Sequence, residues 1–407
     1  MAAITLRQRI AIVTLMLAAL CSGVSSTALA ATEDGVYLGI VVNSDAASIS
    51  LFSTVGLSLL ESIDLPGAQL LIDAALCPLS DGSVIAAISD LQGSVHLFDP
   101  VNRTYLDQVD LTEPALAVSC CGDFLTVSSG AFVQLDPDQE LPPILQFGLD
   151  DRPPLVVDLQ QRIQVAQQDD QLPGASAMQC GLQAQQVLSA SLAEQTVDRM
   201  TFNRANGQLS STFDSLDVTD PVHLTVSPQG RCGALVSDDN QVSGLLVETL
   251  TDTTTVDVAQ GLTMLDACQG DFHLFVRSAF PDRLEAYPYN RRCEIADQPD
   301  WTLMPPPPAL IQTPAVGTMT CRGHLLFVSV DGGSATPDGD RIEVYQQNSG
   351  RLIQQITGNG LNGPLGIDVL IRPPTRPIPA LRGATLLVLA LILLIAGVIA
   401  LKQTTKP

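Results

Sequence analysis

Lysine and aromatic residues are scarce in this chain of 407 residues. Its only lysines, Lys402 and Lys406, lie at the C-terminal end, and aromatic side chains make up 4% of the residues. The 20 basic residues stand against 43 acidic ones, which gives a formal net charge of −23. Because so acidic a surface repels nucleic acid and anionic lipid, we expect no nucleic-acid partner.

Recognisable catalytic motifs are also lacking. The sequence contains no G-x-S-x-G elbow, H-E-x-x-H pair or Walker loop. It has no C-x-x-C pair and only four histidines, so a zinc site is not expected. We interpret those histidines as packed or solvated strand residues: His96, His223, His273 and His324. The sequence therefore predicts no cofactor and favours a binding protein over an enzyme.

The first thirty residues have the pattern of a secretory signal peptide. Arg7 and Arg9 precede an apolar run from Ile10 to Leu20, and Ala28-Leu29-Ala30 forms a small-x-small cleavage site. We predict a signal peptide over residues 1–30, with an uncleaved N-terminal anchor as the alternative. The chain is therefore expected to be exported.

A second apolar run lies near the C-terminus, from Ala384 to Leu401. A helix of this length extends about 27 Å, close to the roughly 30 Å hydrocarbon core of a bilayer. We predict a Pro-rich linker over 372–383, a transmembrane helix over 384–401 and a basic cytoplasmic tail over 402–407 that begins at Lys402.

The segment from Pro377 to Lys402 resembles the IPTL-CTERM sorting tail, which has an I-P-x-L phrase, an apolar helix and a basic end. Ile378, Pro379 and Leu381 match the phrase, whereas Ala380 stands in place of the usual Thr. The resemblance implies an envelope sorting machinery as a partner. Simple anchoring in the membrane remains the alternative.

Between these ends the chain consists of short β-type runs separated by Gly, Asp, Asn and Pro, and one phrase returns after 46 residues. The returning residues are Ile49, Leu51, Phe52, Ile63, Asp64 and Leu65, which correspond to Val95, Leu97, Phe98, Val109, Asp110 and Leu111. Each unit holds about four short strands. One such sheet cannot bury both faces alone, so the units are expected to stack and close into a ring.

This pattern resembles the YVTN/NHL-like β-propeller repeats, whose strands flank an S-P-D-G-type turn. Pro78–Gly82 (PLSDG) and Ser227–Gly230 (SPQG) match that turn, and the resemblance spans roughly 36–371. We predict an all-β, seven-bladed propeller over 31–371, with an irregular insertion over 137–174, for which an extra degenerate blade is the alternative. Its closing blade combines a first strand at Gly366–Ile371 with later strands that start at Val36. Six or eight blades, or two β-sandwich domains, are the alternatives.

Eight cysteines remain after the signal peptide, an even number that suggests disulfides in an exported chain. Most of them end the first strand of a unit, where they could bridge neighbouring blades near one end of the channel. Small buried thiols are the alternative, and spacing does not fix a connectivity. The cysteines are Cys77, Cys120, Cys121, Cys180, Cys232, Cys268, Cys293 and Cys321.

One Gly-rich loop concentrates carboxylates. Asp331, Asp338 and Asp340 lie within ten residues, and oxygen ligands on such a loop suit calcium. The spacing matches no EF-hand, and an ordinary hairpin loop is the alternative. Calcium is the one ion for which the sequence offers candidate ligands.

The sequence thus predicts an exported, membrane-anchored propeller that serves as a non-catalytic binding module of the bacterial envelope. Its body would lie in the periplasm, or on the cell surface after sorting, and its ligand would be a protein or a glycan. A lactonase-like hydrolase with a metal at the channel mouth and a purely structural surface protein are the alternatives.

Overall fold

The computed structural model describes residues 36–134, 147–167, 172, 177–180, 185–227, 230–237, 241–258, 263–279, 283–303, 318–331 and 339–372. Within these residues, short runs rich in β-branched and apolar side chains form strands, and Gly, Asp and Asn occupy the turns between them. The strands make seven four-stranded antiparallel sheets, each of which is one blade of a propeller. The predicted seven-bladed, all-β fold is confirmed.

The first three blades are built as follows, with strands given from the channel outward. Blade 1 consists of β28 (Pro364–Arg372), β1 (Val36–Asn43), β2 (Ser48–Ser53) and β3 (Ser58–Asp64). Blade 2 consists of β4 (Leu71–Pro78), β5 (Val84–Asp90), β6 (Ser94–Asp99) and β7 (Thr104–Asp110). Blade 3 consists of β8 (Ala115–Cys121), β9 (Phe124–Gln134), β10 (Phe147–Asp158) and β11 (Ile163–Gln164).

The other four blades have the same order. Blade 4 consists of β12 (Ala177–Cys180), β13 (Gln186–Ser191), β14 (Thr196–Asn203) and β15 (Gln208–Asp217). Blade 5 consists of β16 (Pro221–Val226), β17 (Cys232–Ser237), β18 (Gln241–Leu246) and β19 (Thr251–Asp257). Blade 6 consists of β20 (Thr263–Gln269), β21 (His273–Ala279), β22 (Arg283–Pro288) and β23 (Trp301–Leu303). Blade 7 consists of β24 (Met319–Arg322), β25 (Leu325–Val330), β26 (Arg341–Gln346) and β27 (Arg351–Ile356).

Blade 1 joins the two ends of the propeller. Strand β28, from the C-terminal end, takes the innermost position and pairs with β1, from the N-terminal end. The expected split blade is therefore confirmed, because residues from Gly366 supply the missing first strand. A strand borrowed from the far end of the chain closes the ring without an exposed sheet edge at the junction.

The insertion expected over 137–174 is in part regular structure. Strands β10 and β11 lie within it and form the outer half of blade 3. The prolines Pro153 and Pro154 obscure the strand pattern in the sequence. The pairing between β9 and β10 shifts register between Arg152 and Leu155, and this irregularity accommodates the two prolines, which cannot donate to the ladder. Residues 137–146, 168–171 and 173–174 of the predicted insertion lie outside the described residues.

The apolar core lies between blades. Each described cluster of buried side chains draws on two neighbouring blades, as where Phe52 of blade 1 meets Phe327 and Val344 of blade 7. The rings of Phe52 and Phe327 have centroids 5.8 Å apart. Outermost strands such as β27 are exposed along most of their length. Blade stacking therefore supplies the hydrophobic stabilisation that a single thin sheet lacks.

We expect Phe52→Ala to lower the free energy of unfolding by about 3–5 kcal/mol, because it leaves a cavity at the closing interface. Leu352→Ala, at a position that is 43% exposed, is the matched control and should change it by less than about 0.5 kcal/mol. Chemical denaturation followed by the fluorescence of Trp301 measures both. Equal losses in the two variants would contradict an interface core at Phe52.

Candidate functional site

The inner strands surround the propeller channel, and several of their polar side chains bond a neighbouring blade. The carboxylate of Asp73 in β4 accepts a hydrogen bond from the backbone N–H of Val118 in β8 at 3.0 Å. The hydroxyl of Ser119 in turn accepts one from the N–H of Cys180 in β12 at 3.1 Å. These groups therefore connect blades 2, 3 and 4 in succession.

Asp368 of β28 connects three blades at the point of closure. Its Oδ2 accepts the backbone N–H of Leu76 from blade 2 at 2.8 Å, and its Oδ1 accepts the N–H of Val369 at 2.8 Å. From blade 7, the Thr320 hydroxyl donates to Oδ1 at 3.4 Å, and a guanidinium nitrogen of Arg322 lies 3.8 Å away. Burial raises the pKa of Asp368 above its ordinary value, although Arg322 and the hydrogen bonds oppose that shift.

Further bonds hold β28 against blade 7. The Thr318 hydroxyl donates to the backbone oxygen of Leu365 at 3.2 Å and accepts the N–H of Ile367 at 2.9 Å. The Ser329 hydroxyl also donates to Leu365 O, at 2.6 Å. The closing strand is thus fixed by side-chain bonds in addition to its pairing with β1.

The eight cysteines of the propeller form four disulfides, which confirms the expectation that they pair and bridge neighbouring blades. The Cα–Cα distances are 5.2–5.9 Å, within the range of ordinary disulfides. The pairs are Cys77–Cys120 between blades 2 and 3, Cys121–Cys180 between blades 3 and 4, Cys232–Cys293 between blades 5 and 6, and Cys268–Cys321 between blades 6 and 7.

Adjacent Cys120 and Cys121 bond in opposite directions. Successive side chains of a strand point to opposite faces, and in a propeller those two faces meet the preceding and the following blade. Cys120 therefore reaches blade 2 and Cys121 reaches blade 4. Six of the cysteines lie at or near the end of an inner strand, whereas Cys232 begins β17 and Cys293 lies between β22 and β23. We name the end of the channel at which the inner strands end the disulfide rim.

The carboxylate loop proposed for calcium is described in part. Asp340 is buried and accepts the backbone N–H of Gly363 at 2.9 Å, so it contributes to ring closure. Asp331 is half-buried after the end of β25, and Asp338 lies outside the described residues. Among the residues described, no group of three His, Cys, Asp or Glu side chains is placed to hold a metal ion. The calcium site stays a prediction.

Three of the four histidines make side-chain contacts within the fold, and His96 is the most buried. Its Nδ1 lies 3.2 Å from the Tyr105 hydroxyl and its Nε2 lies 3.4 Å from the Asp90 carboxylate. Burial lowers the pKa of His96 below its ordinary 6.5, and the nearby Asp90 carboxylate opposes that shift. In β16, Nε2 of His223 lies 3.0 Å from the backbone oxygen of Ala267 in blade 6.

Sequence reasoning missed a buried polar phrase, R-x-E-x-Y, that begins β22 and β26. In β26, Arg341 donates to Glu343 at 2.7 Å, and the Tyr345 hydroxyl donates to the same carboxylate. Burial and the negative charge of Glu343 raise the pKa of Tyr345. In β22, a guanidinium nitrogen of Arg283 lies 2.8 Å from the Glu285 carboxylate, and the Tyr287 hydroxyl donates to that carboxylate at 3.0 Å. The repeated R-x-E-x-Y spacing was the available signal.

Gly358, Gly360 and Gly363 have the spacing of a dinucleotide-binding loop, a match that sequence reasoning also missed. In the structure they connect β27 to β28, with no helix following. A Cβ at Gly358 would lie 2.8 Å from Leu59, and one at Gly360 would lie 2.8 Å from Ser62. Close packing against blade 1 therefore accounts for these glycines.

The predicted signal peptide, the tail and the sorting residues Ile378, Pro379, Leu381 and Lys402 lie outside the described residues. The same holds for the predicted linker except for its first residue, Arg372, which ends β28. In the part of the chain that the structure describes, no helix combines the length and the apolar character needed to cross a bilayer. The predicted helix over 384–401 is not in that part.

No family model and no curated protein matches the chain. Solved propellers do resemble it in structure. One is a protein of unknown function from Desulfotomaculum acetoxidans, with TM-score 0.59 and 15% identity, covering 82% of this chain and 99% of its own. Another is a candidate 6-phosphogluconolactonase from Bacteroides uniformis, with TM-score 0.54 and 13% identity; the match covers 83% of this chain and 100% of the lactonase chain. Hsv2 from Kluyveromyces lactis has TM-score 0.52 and 9% identity; the match covers 76% of this chain and 92% of the Hsv2 chain. These likenesses show the fold alone.

We expect Asp368→Asn to lower the free energy of unfolding by about 1–3 kcal/mol. Asn has a single side-chain oxygen, so one of the two backbone N–H groups that Asp368 accepts would face an NH2 group. Chemical denaturation measures the effect, with Asp64→Asn, at an exposed strand end, as the control. An unchanged stability in Asp368→Asn would show that the closure does not depend on this carboxylate.

We expect His96 to make the protein less stable as the pH falls below about 6.5. Because its pKa is lowered in the folded state, the unfolded chain binds the proton first, so acid favours unfolding. One such group contributes a slope of at most about 1.4 kcal/mol per pH unit. In His96→Asn the dependence of the unfolding free energy on pH between 7 and 5 should flatten, whereas exposed His324→Asn should leave it unchanged. Parallel curves for His96→Asn and the unaltered chain would contradict this role.

Proposed function

We propose that this chain is an exported, membrane-anchored propeller that binds a ligand of the bacterial envelope without catalysing a reaction. The observation that carries the proposal is that the polar side chains of the inner strands form hydrogen bonds between blades. Asp73, Ser119, His223 and Asp368 each bond a neighbouring blade. Groups with these structural roles are poorly placed to act also as a nucleophile, a base or a metal ligand.

Four disulfides support the exported location. Disulfides persist in oxidising compartments and are rare in the bacterial cytoplasm. The cysteines link six of the seven blades pairwise, as would suit a protein that works outside the protective environment of the cell. The signal peptide over 1–30 and the apolar run over 384–401 supply the export and the anchor in this proposal.

A propeller suits a binding function because its connections gather at the two ends of the channel, where side chains from several blades come together. Rigid blades fix those connections in place. With disulfides between neighbouring blades at one end, the positions of side chains on that end are preorganised, which reduces the entropy lost on binding.

The location is tested by expressing the full chain in a bacterial host and separating its membrane, periplasm and cytoplasm. We expect the oxidised chain in the membrane fraction, with the propeller digested by protease only after the outer membrane is opened. A variant that ends at Arg372 should be released from the membrane. Recovery of the full chain in the cytoplasm with free thiols would refute export.

The binding role is tested with the purified full chain in detergent, using arrays of envelope glycans and proteins and a lactone hydrolysis assay. We expect saturable binding to at least one class of envelope component and no lactone hydrolysis above the rate in buffer. Turnover that is lost on substitution of a channel residue such as Asp368 would reassign the chain as a hydrolase.

A further inference from the structure

A cleft of about 350 Å³ opens at the disulfide rim and is lined by residues from three consecutive blades. Pro78, Leu79 and Ser80 of blade 2 form one wall, Gly122 and Asp123 of blade 3 form the floor, and Arg204 of blade 4 closes the third side. None of these residues belongs to the network that closes the ring.

Two disulfides fix the walls of this cleft. Pro78 directly follows Cys77, which is bonded to blade 3, and Gly122 directly follows Cys121, which is bonded to blade 4. Two of the three segments that line the cleft therefore begin directly after a residue that is covalently bonded to a neighbouring blade. Such a site loses little conformational freedom when a ligand enters.

The turn that carries Arg204 packs closely against blade 3. The turn ends at Gly207, whose φ is +69° and where a Cβ would lie 2.8 Å from the ring of Phe124. Phe124 follows Asp123 in the chain and packs edge-on against Phe202, with centroids 5.7 Å apart. A Cβ on Gly122 would lie 3.9 Å from Cζ of Arg204, so the guanidinium passes directly above the floor.

The two charged side chains of the cleft, Asp123 and Arg204, differ in their bonding partners. The Asp123 carboxylate accepts the backbone N–H of Ser80 at 2.7 Å and the Ser80 hydroxyl at 2.6 Å, one on each oxygen. Arg204 has no ion-pair partner among the described residues, although Asp123 lines the same cleft. The guanidinium is thus available to an anion, and the Asp123 oxygens keep lone pairs for neutral donors such as hydroxyls.

We propose that this cleft binds an acidic sugar, with Arg204 pairing with its carboxylate and with Asp123 and Ser80 accepting hydrogen bonds from its hydroxyls. A guanidinium matches the planar geometry of a carboxylate. The cleft volume suits a single sugar unit at the small end of ligand sites. The inference rests on the proposed binding function, for which it names the ligand class and the surface.

The test is a titration of the full chain, oxidised and in detergent, with D-glucuronate, followed by calorimetry. D-glucose tests the need for the carboxylate, and acetate tests the need for the hydroxyls. We expect saturable glucuronate binding, with both comparison ligands at least about tenfold weaker. Equal binding of acetate and glucuronate would reduce the site to a simple anion contact and overturn the sugar assignment.

The matched variants are Arg204→Gln and Arg291→Gln. Both residues are exposed, so neither change should unfold the protein, and a thermal melt checks this. Arg204→Gln should weaken glucuronate binding at least about tenfold. Arg291→Gln removes a charge from the connection between β22 and β23 and should leave binding unchanged.

Absence of saturable glucuronate binding, or equal affinity in Arg204→Gln and the unaltered chain, would overturn the proposal. These failures are distinguishable from a failure of the binding function itself. If an envelope component on the array still binds the chain, and binds Arg204→Gln equally well, the binding function stands and its surface lies elsewhere.

Discussion

The fold depends on the placement of one strand, β28, beside β1. The seven blades gain stability from their neighbours, and every blade has two neighbours only when the ring is closed. Asp368 shows how this constraint is met, since one carboxylate accepts bonds from β28 itself and from blade 2 and faces a threonine and an arginine of blade 7. The carboxylate accepts these two N–H groups on different oxygens, whereas an amide would place a donating NH2 group at one of the two positions.

The apolar contacts between blades 1 and 7 also depend on closure of the ring. Clusters such as the one around Phe52 and Phe327 exist only because blades 1 and 7 are brought face to face. The buried R-x-E-x-Y groups and His96 occupy comparable places in the third strand of their blades, where each is bonded to side chains of its own blade. The polar core is therefore distributed around the ring in small, internally bonded groups, which limits the cost of burying charge.

Much of the architecture could be predicted from the sequence because each blade repeats a similar local pattern of apolar and polar residues. The repeat that relates Phe52 to Phe98, and the lone strand at Gly366–Ile371, were enough to give the blade number and the split blade. Cysteine positions at the ends of inner strands predicted bridges between neighbours. The outer strands of blade 3 were missed because Pro153 and Pro154 break the alternation that a strand normally displays.

The site could not be predicted in the same way, because it depends on side chains brought together across blades. Nothing local in the sequence relates Arg204 to Asp123, or Asp368 to Leu76. The pairing of the cysteines is of the same kind, since eight thiols allow many connectivities and only the ring order selects neighbours. Asp331, Asp338 and Asp340 are close together in the sequence, but the sequence does not show that Asp340 accepts a hydrogen bond from the backbone N–H of Gly363.

The disulfides divide the propeller into two covalently linked sets, blades 2 to 4 and blades 5 to 7, and leave blade 1 outside both. Tension applied through the C-terminal end reaches β28 first, and β28 is held only by noncovalent bonds. Under mechanical load, blade 1 would therefore give way before either cross-linked set. If β28 detached reversibly, the other blades would stay folded, because each set retains its internal disulfides. Those blades would then offer a folded surface on which β28 could dock again.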